Sequence, residues 1–256
     1  MGLITFLSDF GYTDHYIAAV KARILRTAPQ TPIIDISHAI EPYNIAHGAF
    51  VLNSLFRDFP VGTVHLVAVD SQGSKQDRYL AVQFQDHYFV AADNGILSLI
   101  IESQPATMVE LPVELPTTFA AKDVLAPAAL ALATGADLSD LGTGLTDYRQ
   151  LINRQLRLSD HAITGHVVHV DHYGNLITNI SQDSMDAIGH DRPFTVHFAR
   201  ESVQKISKDF THVDEGDVVC FYNHQGWLSI GINKGHASEL LGMYYDSQVN
   251  IHFKKI

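Results

Sequence analysis

The hydrophobic rhythm of this chain changes close to Arg157. Before it, short apolar runs alternate with stretches whose apolar residues recur every three or four positions. Leu3–Leu7 reads as a buried strand that ends at Ser8-Asp9-Phe10-Gly11. Asp14 is placed to cap a helix reaching to about Ala28, with Tyr16, Ile17, Val20, Ile24 and Leu25 along one face. Thr31-Pro32 breaks that helix, and Ile33-Ile34-Asp35-Ile36 is a second strand. A helical stretch over Asn44–Phe59 follows, then strands over Val64–Val69, Tyr79–Phe84 and His87–Ala91, and an alanine-rich helix over Asp123–Ala133. Strands interleaved with helices predict an α/β layer: a mostly parallel sheet with helices on both faces.

After Arg157 the helical period fades and short strand-like runs take over. They cover Gly165–Val170, Leu176–Ile180, Phe194–Phe198, Asp217–Tyr222, Trp227–Ile232 and Val249–Phe253. Turn signals such as Tyr173-Gly174-Asn175 and Asn223-His224-Gln225-Gly226 separate them. The polar stretch Asn153–Asp160 marks the boundary. Residues 1–156 are expected to form the α/β domain and residues 157–256 a smaller all-β domain.

Charge and composition remove several functions. With 17 Lys+Arg against 28 Asp+Glu, the formal net charge of −11 argues against a grip on phosphate backbones, so no nucleic acid is expected as partner. The 46% hydrophobic content is enough for a sizeable core. No apolar run reaches the length of a membrane span, and the N-terminus lacks a basic, cleavable leader, so a cytoplasmic protein without membrane partners is expected. Cys220 is the single cysteine, which excludes an internal disulfide. It lies in Val218-Val219-Cys220-Phe221, a setting for a buried, inert thiol.

Two carboxylates stand where open parallel sheets place their ligands, just beyond strand ends. Asp9 follows the first strand and Asp70 follows Val64–Val69. Each suits a ribose diol or an oriented water, and each equally suits a helix cap or a loop hydrogen bond. Asp171-His172-Tyr173-Gly174-Asn175 offers a carboxylate, a ring and an amide around a turn glycine. The carboxylate suits an ammonium and the amide an adenine edge. The residues alone favour a hairpin in which Asp171 satisfies its own backbone. No glycine-rich phosphate loop and no nucleophile elbow occurs. Fifteen histidines invite a metal, with His166, His169 and His172 as the densest group. Strand alternation turns His169 away from the other two, so no metal site is expected.

These segments, taken in order, resemble the S-adenosylmethionine hydroxide adenosyltransferases, hydrolase relatives of the adenosyl-fluoride and adenosyl-chloride synthases. The resemblance runs from Ser8-Asp9-Phe10-Gly11-Tyr12-Thr13-Asp14 through Asp35-Ile36-Ser37-His38, Glu41-Pro42-Tyr43 and Val67-Ala68-Val69-Asp70. It continues with Asp93-Asn94-Gly95, Thr118-Phe119 with Asp123, and Asp171–Ile180. It implies a homotrimer whose sites lie between one subunit's N-terminal domain and a neighbour's C-terminal domain. It also implies that Asp9 holds the ribose hydroxyls, Tyr43 packs on the ribose and sulfonium, Asp171 takes the methionine ammonium, and Tyr173 and Asn175 address the adenine. S-Adenosyl-L-methionine would be the substrate or ligand, with no cofactor.

The departures from that pattern bear on turnover. The family's Asp–Arg–His set keeps Asp70, but its loop D-P-G-V-G-T-x-R-R reads Asp70-Ser71-Gln72-Gly73-Ser74-Lys75-Gln76-Asp77-Arg78 here. Asp77 takes the expected arginine position, and Arg78 is the remaining candidate. T-F-H-G-R-D becomes Thr118-Phe119-Ala120-Ala121-Lys122-Asp123, so Ala120 replaces the histidine. His224-Gln225 replaces a serine pair that would hold the methionine carboxylate. Losing one proton-handling residue costs roughly 10²–10⁴-fold in rate. The expected function is a slow hydrolase releasing adenosine and L-methionine, the alternative a non-catalytic binder of S-adenosylmethionine or adenosine. The span from Asn94 to Phe119 leaves little room for the extra loop of the halogenases.

Overall fold

The computed structural model describes residues 2–72, 78–101, 105, 107–113, 115–152, 155–189 and 192–254. The chain divides into two compact units, Met1–Asn153 and Arg154–Ile256.

Among the described residues, the first unit is built on seven strands: β1 (Ile4–Ser8), β2 (Ile33–Ser37), β3 (Val64–Ala68), β4 (Tyr79–Phe84), β5 (His87–Ala92), β6 (Thr107–Glu110) and β7 (Thr143–Gly144). Its helices are α1 (Tyr16–Leu25), α2 (Ile45–Asn53), α3 (Ile96–Ile100) and α4 (Ala126–Ala133). The strand order is β2-β1-β3-β5-β4-β6-β7. The sheet is mixed: β2, β1, β3 and β5 run parallel, and β4, β6 and β7 extend it antiparallel. The antiparallel half follows from the tight turn at Gln85-Asp86, both with positive φ, which folds β5 straight back on β4 and leaves no length for a crossover helix.

Period-two alternation in β1 and β3 sends side chains into two cores. Ile4, Phe6, Val64 and Leu66 pack with Val20 and Ile24 of α1 and with α4. Leu7, Val67 and Val69 pack with Ala49 and Leu52 of α2 and with Leu97 and Ile100 of α3. Burying both faces explains why these strands read as continuous apolar runs.

Local details differ from the sequence expectation for identifiable reasons. Helix α1 starts at Tyr16 after His15, and no side chain caps it, so Asp14 does not serve as the cap. Asn44 does cap α2, accepting from His47 N. The alanine-rich helix opens with a π turn over Ala121–Leu125 before α4. Pro127 lacks an N–H and crowds the carbonyl four residues back, so the turn before it widens by one residue.

The second unit contains β8 (Arg157–Ser159), β9 (Ala162–Val170), β10 (Leu176–Ser181), β11 (Phe194–Phe198), β12 (Glu201–Val203), β13 (Val218–Tyr222), β14 (Trp227–Ile232) and β15 (Gln248–Phe253). The order is β12-β11-β15-β9-β10-β14-β13, with β8 beside β9, and these strands pair antiparallel. Two short helices, α5 (Gln182–Gly189) and α6 (Ala237–Leu241), interrupt it. Its core gathers Ile163, Leu176, Val196, Cys220, Ile230 and Ile251. Cys220 is fully buried, and burial pushes its thiol pKa up to about 12, which removes it as a nucleophile.

Candidate active site

The parallel half of the first sheet sets the site. Four adjacent strands run the same way, and their carboxyl ends deliver His38 after β2, Asp9 after β1, Asp70 just past β3, and Asp93-Asn94 after β5. Ser8 pairs with Ala68 in register, so Asp9 and Asp70 emerge beside one another. Phe10, Tyr16, Pro42, Tyr43, Ser71 and Phe119 join these two carboxylates around a cavity of about 390 Å³.

Asp9 is the keystone of this arrangement. Its Oδ2 accepts the backbone N–H of Tyr43 at 3.0 Å and that of Asp70 at 3.0 Å. Both donors sit in the left-handed region, with φ of 65° for Tyr43 and 44° for Asp70. Non-glycine residues hold such geometry at a cost of about 1–3 kcal/mol each, and only where the surroundings enforce it. Asp9 fills the loop role and still leaves one oxygen for a ligand. One oxygen serves the two turns, and among the described residues Oδ1 accepts no hydrogen bond. Asn94 Nδ2 fixes the Asp70 turn from the other side by donating to the carbonyls of Val69 and Asp70, both at 2.8 Å. The Tyr43 side chain is 75% exposed, which leaves a ring face open beside the cavity.

Arg78 is not delivered to this cavity. Its Nε and Nη2 both donate to Asp93 Oδ2, at 2.7 and 2.5 Å, and Nη1 lies 3.9 Å from Asp147 Oδ1. These bonds hold the guanidinium pKa above its ordinary value. Arg78 and Asp93 line an adjoining polar cavity of about 640 Å³, which shares Asp70 and Gln72 with the first. Asp77 lies outside the described residues.

Ala120 is fully buried in the core and does not line the cavity. Its N–H donates to Gln72 Oε1 at 2.9 Å, while Gln72 Nε2 donates to Thr117 O at 2.8 Å. Gln72 stands where the family loop has glycine, and its amide is spent on the backbone beside Ala120. The sequence carried that signal in the loop comparison, but nothing in one segment indicated that the two changes meet.

In the second unit, Asp171, Tyr173 and Asn175 form one closed loop. Asp171 Oδ1 accepts the N–H groups of Tyr173 and Asn175, at 2.9 and 2.8 Å, and Oδ2 accepts Asn175 Nδ2 at 2.8 Å. This is the self-satisfied turn the residues alone favoured. A carboxylate only accepts, so Asn175 must face it with its nitrogen and turn Oδ1 away. That oxygen points across Gly231, where a Cβ would come within 2.7 Å of both Asn175 Oδ1 and the Phe210 ring. Tyr173, Asn175, Phe210, Ile232, Asn233 and His236 surround a cavity of about 610 Å³. At Gly174, φ is 83° and a Cβ would lie 2.4 Å from the His236 ring, so this turn requires glycine. Phe210 and His236 were not legible as site residues, because only the folded sheet brings them to Asn175.

Among the described residues, no three His, Cys, Asp or Glu side chains gather as a metal set. No helix there is long and apolar enough to cross a membrane.

A cavity walled by carboxylates and aromatic rings thus lies at the parallel strand ends of the first unit, and the antiparallel second unit has an amide-edged cavity of its own. The chain belongs to the S-adenosylmethionine (SAM) hydroxide adenosyltransferase family: residues 4–142 match the model of its N-terminal domain and residues 165–250 that of its C-terminal domain. It is 30% identical to the (R)-S-adenosyl-L-methionine hydrolase of Thermus thermophilus, over 94% of this chain and 95% of that protein. It is 24% identical to a fluorinase of Actinoplanes sp., over 90% of this chain and 91% of that one. A crystal structure of an uncharacterized conserved protein from Thermotoga maritima superposes with a TM-score of 0.89 at 32% identity, covering 97% of this chain and 99% of that one.

Proposed function

We propose that this protein hydrolyses S-adenosyl-L-methionine, in the (R) configuration named for its relatives, to adenosine and L-methionine. The observation that carries the reading is the juxtaposition of Asp9 and Asp70 around one cavity with Tyr43 and Phe119. Asp9 Oδ1 takes the ribose hydroxyls in charge-assisted hydrogen bonds. Tyr43 lies against the ribose and sulfonium, a cation suited to an aromatic face. A water held by Asp70 attacks C5′ opposite the sulfur. The new C5′–O bond forms as the C5′–S bond breaks, and its electron pair turns the sulfonium into the neutral thioether of methionine. The water proton passes to the Asp70 carboxylate and on to solvent. The reaction needs no cofactor.

On this reading Asp171 takes the methionine ammonium with the lone pairs its turn leaves over. Asn175 Oδ1 accepts from the adenine amine, and Tyr173 and Phe210 offer ring faces. The half-sites combine in a homotrimer, a neighbour's C-terminal domain closing over Asp9 and Tyr43. The open rings of Tyr43 and Tyr173, 75% and 76% exposed, support that assembly. A cytoplasmic setting fits a chain whose one cysteine forms no internal disulfide.

Packed Ala120 and ion-paired Arg78 favour a second reading, a binder without turnover. Incubation with S-adenosylmethionine followed by chromatography separates the two. Adenosine that accumulates in proportion to enzyme and disappears with Asp70→Ala supports the hydrolase, whereas tight calorimetric binding with no product supports the binder.

A further inference from the structure

Three polar side chains behind Asp9 have no part in the reaction as written. Ser8 Oγ lies 2.7 Å from His38 Nδ1, and His38 Nε2 lies 3.2 Å from Asp35 Oδ1. Lys21 Nζ, from α1, holds Asp35 Oδ2 at 2.5 Å. The order is that of a serine nucleophile, but Ser8 and His38 are both fully buried, so no substrate reaches the hydroxyl.

Its protons can be placed by elimination. Asp35 only accepts, so His38 carries its proton on Nε2 and presents Nδ1 as an acceptor. The Nε2–H does not point squarely at the carboxylate, which therefore selects the tautomer without forming a full-strength bond. Burial keeps the ring neutral by holding its pKa below the ordinary imidazole value, with Asp35 and Lys21 as the charged groups facing it. Ser8 Oγ–H then donates to Nδ1, and Oγ accepts the N–H of Phe10 at 3.4 Å. The His38 backbone binds the same loop. Its carbonyl accepts Gly11 N–H at 2.8 Å, and its N–H donates to the Tyr12 hydroxyl at 3.1 Å. Residues on both sides of Asp9 are thus tied to one residue.

We infer that Ser8, His38 and Asp35 form a positioning chain that holds the Asp9 carboxylate in its ligand-binding pose. The inference rests on Asp9 as the ribose residue. Two measurements test it. Nitrogen-15 imidazole NMR at neutral pH should show His38 protonated on Nε2 alone. Ser8→Ala, a small change at a strand end, should weaken adenosine binding about fivefold and raise the KM for S-adenosylmethionine with kcat nearly unchanged. In an Asp9→Asn background the same change should cost less than about twofold, because its effect travels through Asp9. A proton on Nδ1, or an equal cost in both backgrounds, would overturn the chain while leaving the site reading intact. Wild-type protein that shows the expected tautomer but binds no adenosine would overturn the site reading, and this inference with it.

Discussion

Asp9 and Asp171 solve the same local problem at different range. Each carboxylate accepts two backbone N–H groups and so fixes a turn beside a cavity. Asp171 does this within five residues, on Tyr173 and Asn175. Asp9 does it across the fold, on Tyr43 and Asp70, which are 34 and 61 positions away in sequence. The short-range staple closes a loop that glycine and Asx chemistry already favour. The long-range one joins three strand ends and holds two residues at positive φ. Removing it therefore disturbs the site's geometry as well as its chemistry.

Asp9→Ala is expected to have the largest effect. It removes a charge-assisted ligand bond and leaves two N–H donors without their acceptor, so adenosine affinity should fall at least tenfold and the thermal midpoint should drop. Asp9→Asn separates the two roles: its oxygen can still serve the turns, so stability should recover while affinity does not. Equal loss of stability in both variants would show that the Asp9 carboxylate does not hold the two turns apart from its ligand role.

The Gln72–Ala120 contact allows a second test of long-range coupling. Ala120→His alone forces an imidazole into a filled core and should destabilise by about 1–3 kcal/mol. Adding Gln72→Gly vacates the neighbouring amide, and adenosine release by the double variant should exceed wild type at least tenfold. A single variant as stable as wild type would show that the position is not closed.

Acid should distinguish the two units. Burial holds His38, His47, His65 and His87 below the ordinary imidazole value, His65 down to about 3, and all four lie in the first unit. The unfolded chain takes up protons below about pH 6.5 that these rings refuse, so stability is full above that value and is lost as the pH falls toward about 3. Trp227, the only tryptophan, reports the second unit. Far-UV ellipticity should begin to fall at a higher pH than Trp227 fluorescence changes. Coincident transitions would contradict this order.

The smallest effect on stability belongs to Asp171→Ala. It should cost about 1 kcal/mol of stability and leave the first unit's hydrogen-exchange pattern unchanged.

The range of each contact decides what the sequence could reveal. The apolar runs Ile4–Ser8 and Val64–Ala68 showed buried parallel strands, and Asp9 and Asp70 at their ends were legible as site candidates. The Asp171 turn was legible because its donors lie within the same five residues. Arg78 offered no such clue. Its partner Asp93 lies across the β4–β5 hairpin, and the strand pairing that brings them together is antiparallel where a mostly parallel sheet was expected. Phe210 at Gly231, and Gln72 at Ala120, likewise depend on contacts that no local pattern encodes.

On the proposed function, water attacks C5′ of S-adenosylmethionine beside Asp9 and Asp70. Reaction in oxygen-18 water, read by mass spectrometry of the products, tests it most directly. One heavy oxygen is expected at the 5′ position of adenosine, none in methionine, and no product with Asp70→Ala. Heavy oxygen absent from adenosine, or product formed equally well without the Asp70 carboxylate, would contradict it.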